Sequence, residues 1–114
     1  MPNKMNKIQS SLTVALLSFI PAIAFSAGNA AAGKSKSVIC HACHGETGQS
    51  VQPIYPNLGG QHQDYLSKSL RGFRDGSRKN AIMSGFAANL SDADIEDISA
   101  WYASQQGLTE ITDK

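Results

Sequence analysis

The chain has 114 residues, with ten Lys and Arg against nine Asp and Glu, and a formal net charge of +1. That length holds one modest domain, and the balanced charge excludes the basic footprint of a nucleic-acid binder or an attraction to anionic membrane. Two cysteines are few, so their placement matters more than their number.

The first segment has the pattern of an export signal. Lys4 and Lys7 form a basic start, Leu12 to Phe25 is an apolar run interrupted by Pro21, and small residues follow from Ser26 to Ala32. A secretory signal peptide over residues 1–27 is expected, its boundary placed to within about three residues, with Ala24 and Ser26 fitting the small positions before the cut. The apolar run is shorter than the about 20 residues a membrane anchor needs. Export to the periplasm follows, with a domain over 28–110, a tail at 111–114, and no membrane insertion once the signal is cut. Without Lys4 and Lys7, eight basic residues face nine acids, so the mature chain is near −1. A chain of fewer than about 90 residues buries a modest core and often needs a staple, either a disulfide or a cofactor.

Residues from about Ala30 to Ile39 are alanine-rich and predict a helix, with Asn29 as its N-cap. The helix runs into Cys40-His41-Ala42-Cys43-His44. Cys-x-x-Cys-His is the c-type haem attachment pattern. Thiols at i and i+3 on a helical turn can each add to one porphyrin vinyl group, and the next residue then offers an imidazole to the iron. His41, between the cysteines, is expected at the solvent edge. Other uses of the pair compete. A disulfide or thioredoxin-like dithiol expects a βαβ setting that this chain does not offer. Structural zinc needs four ligands, and only His41 and His62 remain to complete Cys40, Cys43 and His44.

Glycine, proline and polar residues between Gly45 and Gly60 predict a loop. From about His62 to Asp75, Tyr65, Leu66, Ser69, Leu70 and Phe73 share one helical face, with Gly76 as the stop. Gly72 weakens that helix slightly. Met1 and Met5 leave with the signal, so Met83 is the one methionine of the mature chain. Ser84 and Gly85 beside it suit a loop lying against a porphyrin. A thioether is soft and uncharged, favouring ferrous iron; His62 is the rival sixth ligand. The last helix is marked by an S-x-x-D capping box at Ser91 and Asp94, flanked by Leu90 and Ile95. Ile95, Ile98, Trp101, Tyr102 and Gln105 then follow helical spacing, and Gly107 marks the end. Strand-like alternation is absent, so the fold class is all-α. The charged runs, Lys68, Arg71, Arg74, Arg78 and Lys79 then Asp92, Asp94, Glu96 and Asp97, read as solvated faces or as a charge asymmetry that orients a partner.

These residues together resemble the class I c-type cytochromes, of the short single-haem bacterial kind, and one half of the two-domain di-haem cytochromes. The likeness rests on Cys40 to Gly45, Tyr55-Pro56-Asn57-Leu58-Gly59-Gly60-Gln61, Tyr65-Leu66, Phe73 to Arg78, Met83, and Leu90-Ser91-Asp92 leading to Ala100-Trp101-Tyr102. It implies three to five helices wrapped around one haem c, held through Cys40 and Cys43, with His44 and Met83 ligating iron. It also implies that the Pro56 carbonyl accepts the proton on the far nitrogen of His44. Gly33 would let the first helix approach the last one against Trp101, and Phe86 stands where related di-haem proteins can carry a second methionine. With both axial positions filled, the resemblance implies outer-sphere electron transfer with redox partner proteins, no catalytic residue, and a monomer or weak dimer. The competing functions are a haem c subunit of a periplasmic dehydrogenase, an enzyme or gas sensor with an open iron site, and a cofactor-free dithiol protein.

Overall fold

A computed structural model describes residues 27–108 of the chain together with residues 1 and 2. The expected signal peptide lies outside the described residues except for residues 1, 2 and 27, and the expected tail at 111–114 lies wholly outside them. Among the described residues the regular structure is helical. No helix there is long and apolar enough to cross a membrane.

Helix α1 spans Ala30–Lys36, and the Asn29 side chain accepts from the Ala32 amide, as an N-cap does. A 3₁₀ turn, Ser37–Cys40, tightens the chain before the short helix α2, His41–His44. Gly45, at φ 78°, then turns the chain into the long loop. Helix α3 spans Gln63–Asp75 and stops at Gly76, which holds a left-handed φ of 83°. Helix α4 spans Ala81–Ala87 and α5 spans Asp92–Ala103. The capping box at the start of α5 is complete: the Asp94 amide donates to Ser91 Oγ, and the Ser91 amide donates to Asp94 Oδ2.

Two sequence expectations need correction. Helix α5 ends at Ala103, before Gly107, because the Ser104 amide closes the last turn on the Ala100 and Trp101 carbonyls. Gly107 instead lies against Gly60, and it is Gly60 that permits the approach: a Cβ added at Gly60 would lie 2.5 Å from the Gly107 Cα. The charged runs also behave differently. Arg71 reaches Glu96 at 2.6 Å and Arg74 reaches Asp92 at 2.6 Å, so α3 and α5 pair with each other. Lys36 of α1 takes Asp94 at 2.8 Å and Asp97 at 2.6 Å. Much of the expected asymmetry is therefore neutralised inside the fold. Such partly exposed pairs contribute about 0–1 kcal/mol each, and they fix the register of the helices against α5.

The core is small. Leu66, Ile98 and Tyr102 form its centre, with Cys40, Leu58, Leu70, Leu90, Trp101 and Ala103 packed around it. Helix α1 lies on α5 through Gly33, where an added Cβ would overlap the Asp97 carbonyl and come within 2.9 Å of Trp101 Cβ. That contact is the one expected from Gly33 toward Trp101. Several large apolar side chains find no cover from the protein: Ile54 is 77% exposed and Ile82 62%, while Ile39, Tyr65 and Phe86 are each about half exposed. Exposed residues of this kind in one place mark a binding surface.

Candidate functional site

All five of those exposed side chains line one cleft of about 520 Å³. Its volume falls within the about 300–1,000 Å³ range of cofactor sites. One wall comes from the α2 turn and the loop after it, with Cys40, Cys43, His44, Tyr55 and Pro56. The helical face predicted on α3 forms another, where Tyr65, Leu66, Ser69, Leu70 and Phe73 all reach the cleft. Helix α4 completes it with Ile82, Met83 and Phe86.

The α2 turn is fixed from three directions. The Val51 amide donates to the Cys43 carbonyl at 3.2 Å. From α5, the buried Tyr102 hydroxyl donates to the Gly45 carbonyl at 3.1 Å, and Trp101 Nε1–H donates to the Glu46 carbonyl at 2.9 Å. Burial raises the Tyr102 phenol far above its ordinary pKa, so it stays a donor.

His44 is buried, and its Nδ1 lies 2.8 Å from the Pro56 carbonyl oxygen. A carbonyl only accepts, so Nδ1 carries the proton in this contact, and Nε2 is the ring nitrogen left for another partner. Tyr55 packs edge-on against the ring, with centroids 6.4 Å apart. The Cys40 and Cys43 thiols are free, not joined to each other. Burial, and then the neighbouring Cys43, push the Cys40 thiol up to about 11.

Met83 lies in the cleft wall but not in a loop as expected from Ser84 and Gly85. It is the third residue of α4, and the Asn80 side chain caps that helix by accepting from the Met83 amide at 3.0 Å. An Asn three residues before the methionine was the sequence signal for this helix. The rival, His62, stands exposed at the N-cap of α3 and does not line the cleft. His41 is also outside the cleft, half-buried and 3.1 Å from Ser37 Oγ instead of at the open solvent edge. Tyr55, Asn80 and Arg78 line the cleft as well, and the sequence reading gave none of them a role there.

The donor set decides what fits. Among the described residues, no group of three His, Cys, Asp or Glu side chains gathers where it could hold a metal ion, so a four-ligand zinc site has no basis there. An imidazole, a thioether and two thiols at i and i+3, set in apolar walls, fit a covalently attached haem.

The comparisons agree. The family model described as Cytochrome c matches residues 30–106. Cytochrome c-554(548) of Halomonas halodenitrificans is 53% identical over 83 residues, covering 70% of this chain and 100% of that protein. Cytochrome c4 of Pseudomonas aeruginosa is 44% identical over 109 residues, covering 96% of this chain and 53% of that one. The crystal structure of reduced recombinant cytochrome c4 from Pseudomonas stutzeri superposes with a TM-score of 0.68 at 43% identity, over 72% of this chain and 48% of that one. The chain thus spans about half the length of these cytochromes c4. On this evidence of sequence and fold, the chain belongs to the class I c-type cytochromes, proteins of haem-based electron transfer, and its cofactor is covalent haem c, with Cys40 and Cys43 in the attachment motif.

Proposed function

We propose that this protein is a periplasmic single-electron carrier with one haem c, ligated axially by His44 and Met83, and without catalytic activity of its own. Residues 1–27 would be removed as a signal peptide, leaving a cytochrome domain over 28–110 with a short tail. Bound haem supplies a one-electron couple between ferrous and ferric iron. The work of the chain is to hold and tune it. Cys40 and Cys43 anchor it, and the Pro56 carbonyl fixes the His44 tautomer so that Nε2 stays free as a ligand. The thioether of Met83 favours the ferrous state. The apolar faces of α3 and α4 keep water away and raise the cost of net charge at the site. With His44 and Met83 both holding the iron, the site would supply electron transfer and not substrate chemistry. Electrons would then be exchanged with redox partner proteins.

The observation that carries this reading is the His44 Nδ1 to Pro56 contact of 2.8 Å in the same cleft that Met83 lines. The test is absorption spectroscopy of protein prepared from periplasm, with acid-acetone extraction and a Met83→Ala variant. Haem that resists extraction, with the weak near-infrared band of methionine on ferric iron, is expected, and Met83→Ala should abolish the band alone. A band that survives this substitution would remove Met83 from the ligand set.

A further inference from the structure

Charge is unevenly placed along the chain. Between Ser37 and His62 the one Asp, Glu, Lys or Arg is Glu46, and between Asn80 and Ser91 there is none. Glu46 is itself answered by Lys34, at 3.4 Å. These two stretches hold the attachment turn, the loop after it and α4, which supply two walls of the cleft. Arg78 lines the cleft too, but it belongs to the chain after α3 and bonds to Ser69 of that helix. The neutral stretches also carry most of the exposed large apolar side chains; among the described residues only Met1, Tyr65 and Leu108 lie elsewhere.

Part of this apolar surface does not depend on what fills the cleft. Ile39, Ile54, Ile82 and Phe86 line it, so a bound group can cover them from within. Val38 and Val51 do not line it, and they are 62% and 56% exposed. Both stand at its edge. Val38 adjoins Ile39 in the 3₁₀ turn, and the Val51 amide donates to the Cys43 carbonyl at 3.2 Å. Bare apolar surface beside the cleft is stabilised by whatever covers it.

Charge complementarity selects the occupant. A face built for an acidic or basic partner carries the opposite charge around it, and such a face repels its own copy. This one has no such charge beside Val38 and Val51. The expected mature chain, with eight basic residues against nine acids, adds little repulsion between whole molecules. In a two-fold contact the same patch meets itself, and an uncharged apolar patch is its own complement. We propose that the face bearing Val38 and Val51 docks transiently on the same face of a second copy of this chain, and that the two copies exchange electrons there. This rests on the haem-carrier reading above. The ferrous copy loses one electron and the ferric copy gains it; no bond forms or breaks, and no other reactant is needed. Apolar burial drives the association, so salt has little effect on it.

The test is electron self-exchange in mixtures of ferric and ferrous holoprotein, read from the proton NMR line widths of the haem methyl groups at about 0.02 and 0.5 M NaCl. The wild-type rate constant should change less than about twofold between the two. The double variant Val38→Glu with Val51→Glu places like charges opposite each other and should slow exchange at low salt by about tenfold or more. Mixing it with Val38→Lys with Val51→Lys should restore the wild-type rate, because opposite charges then meet. Lys68→Glu, a charge reversal outside this face, is the control and should stay within about twofold of wild type. If the glutamate variant exchanges as fast as wild type, or the mixture is no faster than the glutamate variant alone, this assignment alone is overturned. A wild-type rate that changes several-fold with salt overturns it as well. If the wild-type chain holds no covalent haem, this assignment and the carrier reading both fall.

Discussion

Replacing Gly33 with alanine sets two opposing effects against each other. Alanine in place of glycine inside a helix gains about 0.5–1 kcal/mol from propensity alone. Against this, the new Cβ meets the Asp97 carbonyl and lies 2.9 Å from Trp101 Cβ. The blocking atoms at Asp97 are backbone, so no rotamer change relieves them, and α1 must move off α5. Overpacking of this kind costs about 1–3 kcal/mol. The same seam carries the Asn29 amide to Asp97 Oδ1 bond at 2.7 Å and the Lys36 to Asp97 bond at 2.6 Å, and weakening either adds about 1 kcal/mol. The net expectation is a loss of about 1–3 kcal/mol. At about 4–8 °C per kcal/mol for a domain of this size, Tm should fall by about 4–24 °C. Far-ultraviolet circular dichroism of the ferric holoprotein during heating measures it, while the absorption spectrum at 25 °C should be unchanged because the seam lies away from the cleft. A Tm that stays level or rises would mean that the α1–α5 contact is soft and that Gly33 is not there for close approach.

Asn80→Ala should loosen Met83. Loss of an N-cap costs about 1 kcal/mol, and a helix as short as α4 has little stability of its own. Imidazole, competing for ferric iron against the methionine, should therefore bind roughly fivefold more tightly to the variant; an unchanged affinity would show that the cap does not hold Met83 in place. Lys36→Gln tests the pair of carboxylates on α5. The Lys36 side chain, together with Ser91, holds Asp94 down at about 2, and Lys36 with the Asn29 amide lowers Asp97 as well. Carboxylates lowered by folding stabilise above their unfolded pKa, about 4, and that contribution is lost as pH falls toward 2. Lys36 is itself raised by Asp94 and Asp97, so its side of the linkage is lost only in strong alkali. The deficit of Lys36→Gln in denaturant melts should be steady at neutral pH and shrink from about pH 4 to 2; a deficit that persists at pH 2 would contradict the linkage.

Features set by neighbouring residues were readable from the chain itself. Asn29 and Ser91-x-x-Asp94 are caps whose chemistry spans three residues, and both are found as caps. The face of α3 was also legible, because Tyr65, Leu66, Ser69, Leu70 and Phe73 repeat with the helix and turn together to the cleft. Helix α4 is poorly legible because Ser84 and Gly85 have weak helix propensity, and only the Asn80 cap marks its start. The end of α5 is not legible locally, because the chain beyond Ala103 runs on to lie against Gly60, a contact between distant segments. The pairing of Arg71 with Glu96 and Arg74 with Asp92 depends on how α3 lies against α5, and no local pattern carries that register.

The bonds that α1 and the α2 turn make to α5 also impose an order on folding. The Asn29 amide bonds to a residue 68 positions later, and the Glu46 carbonyl to one 55 positions later. Helix α1 therefore has no native partner until α5 has been made, and the Cys40–His44 turn has no anchor from Trp101 or Tyr102 before then. Contacts this distant in sequence form late. Throughout that interval both thiols belong to an open chain, free of the burial that raises the Cys40 thiol in the finished fold. Covalent chemistry at the two sulfurs is thus best placed before the ends of the domain meet, and closure of α5 over α1 then secures what was attached.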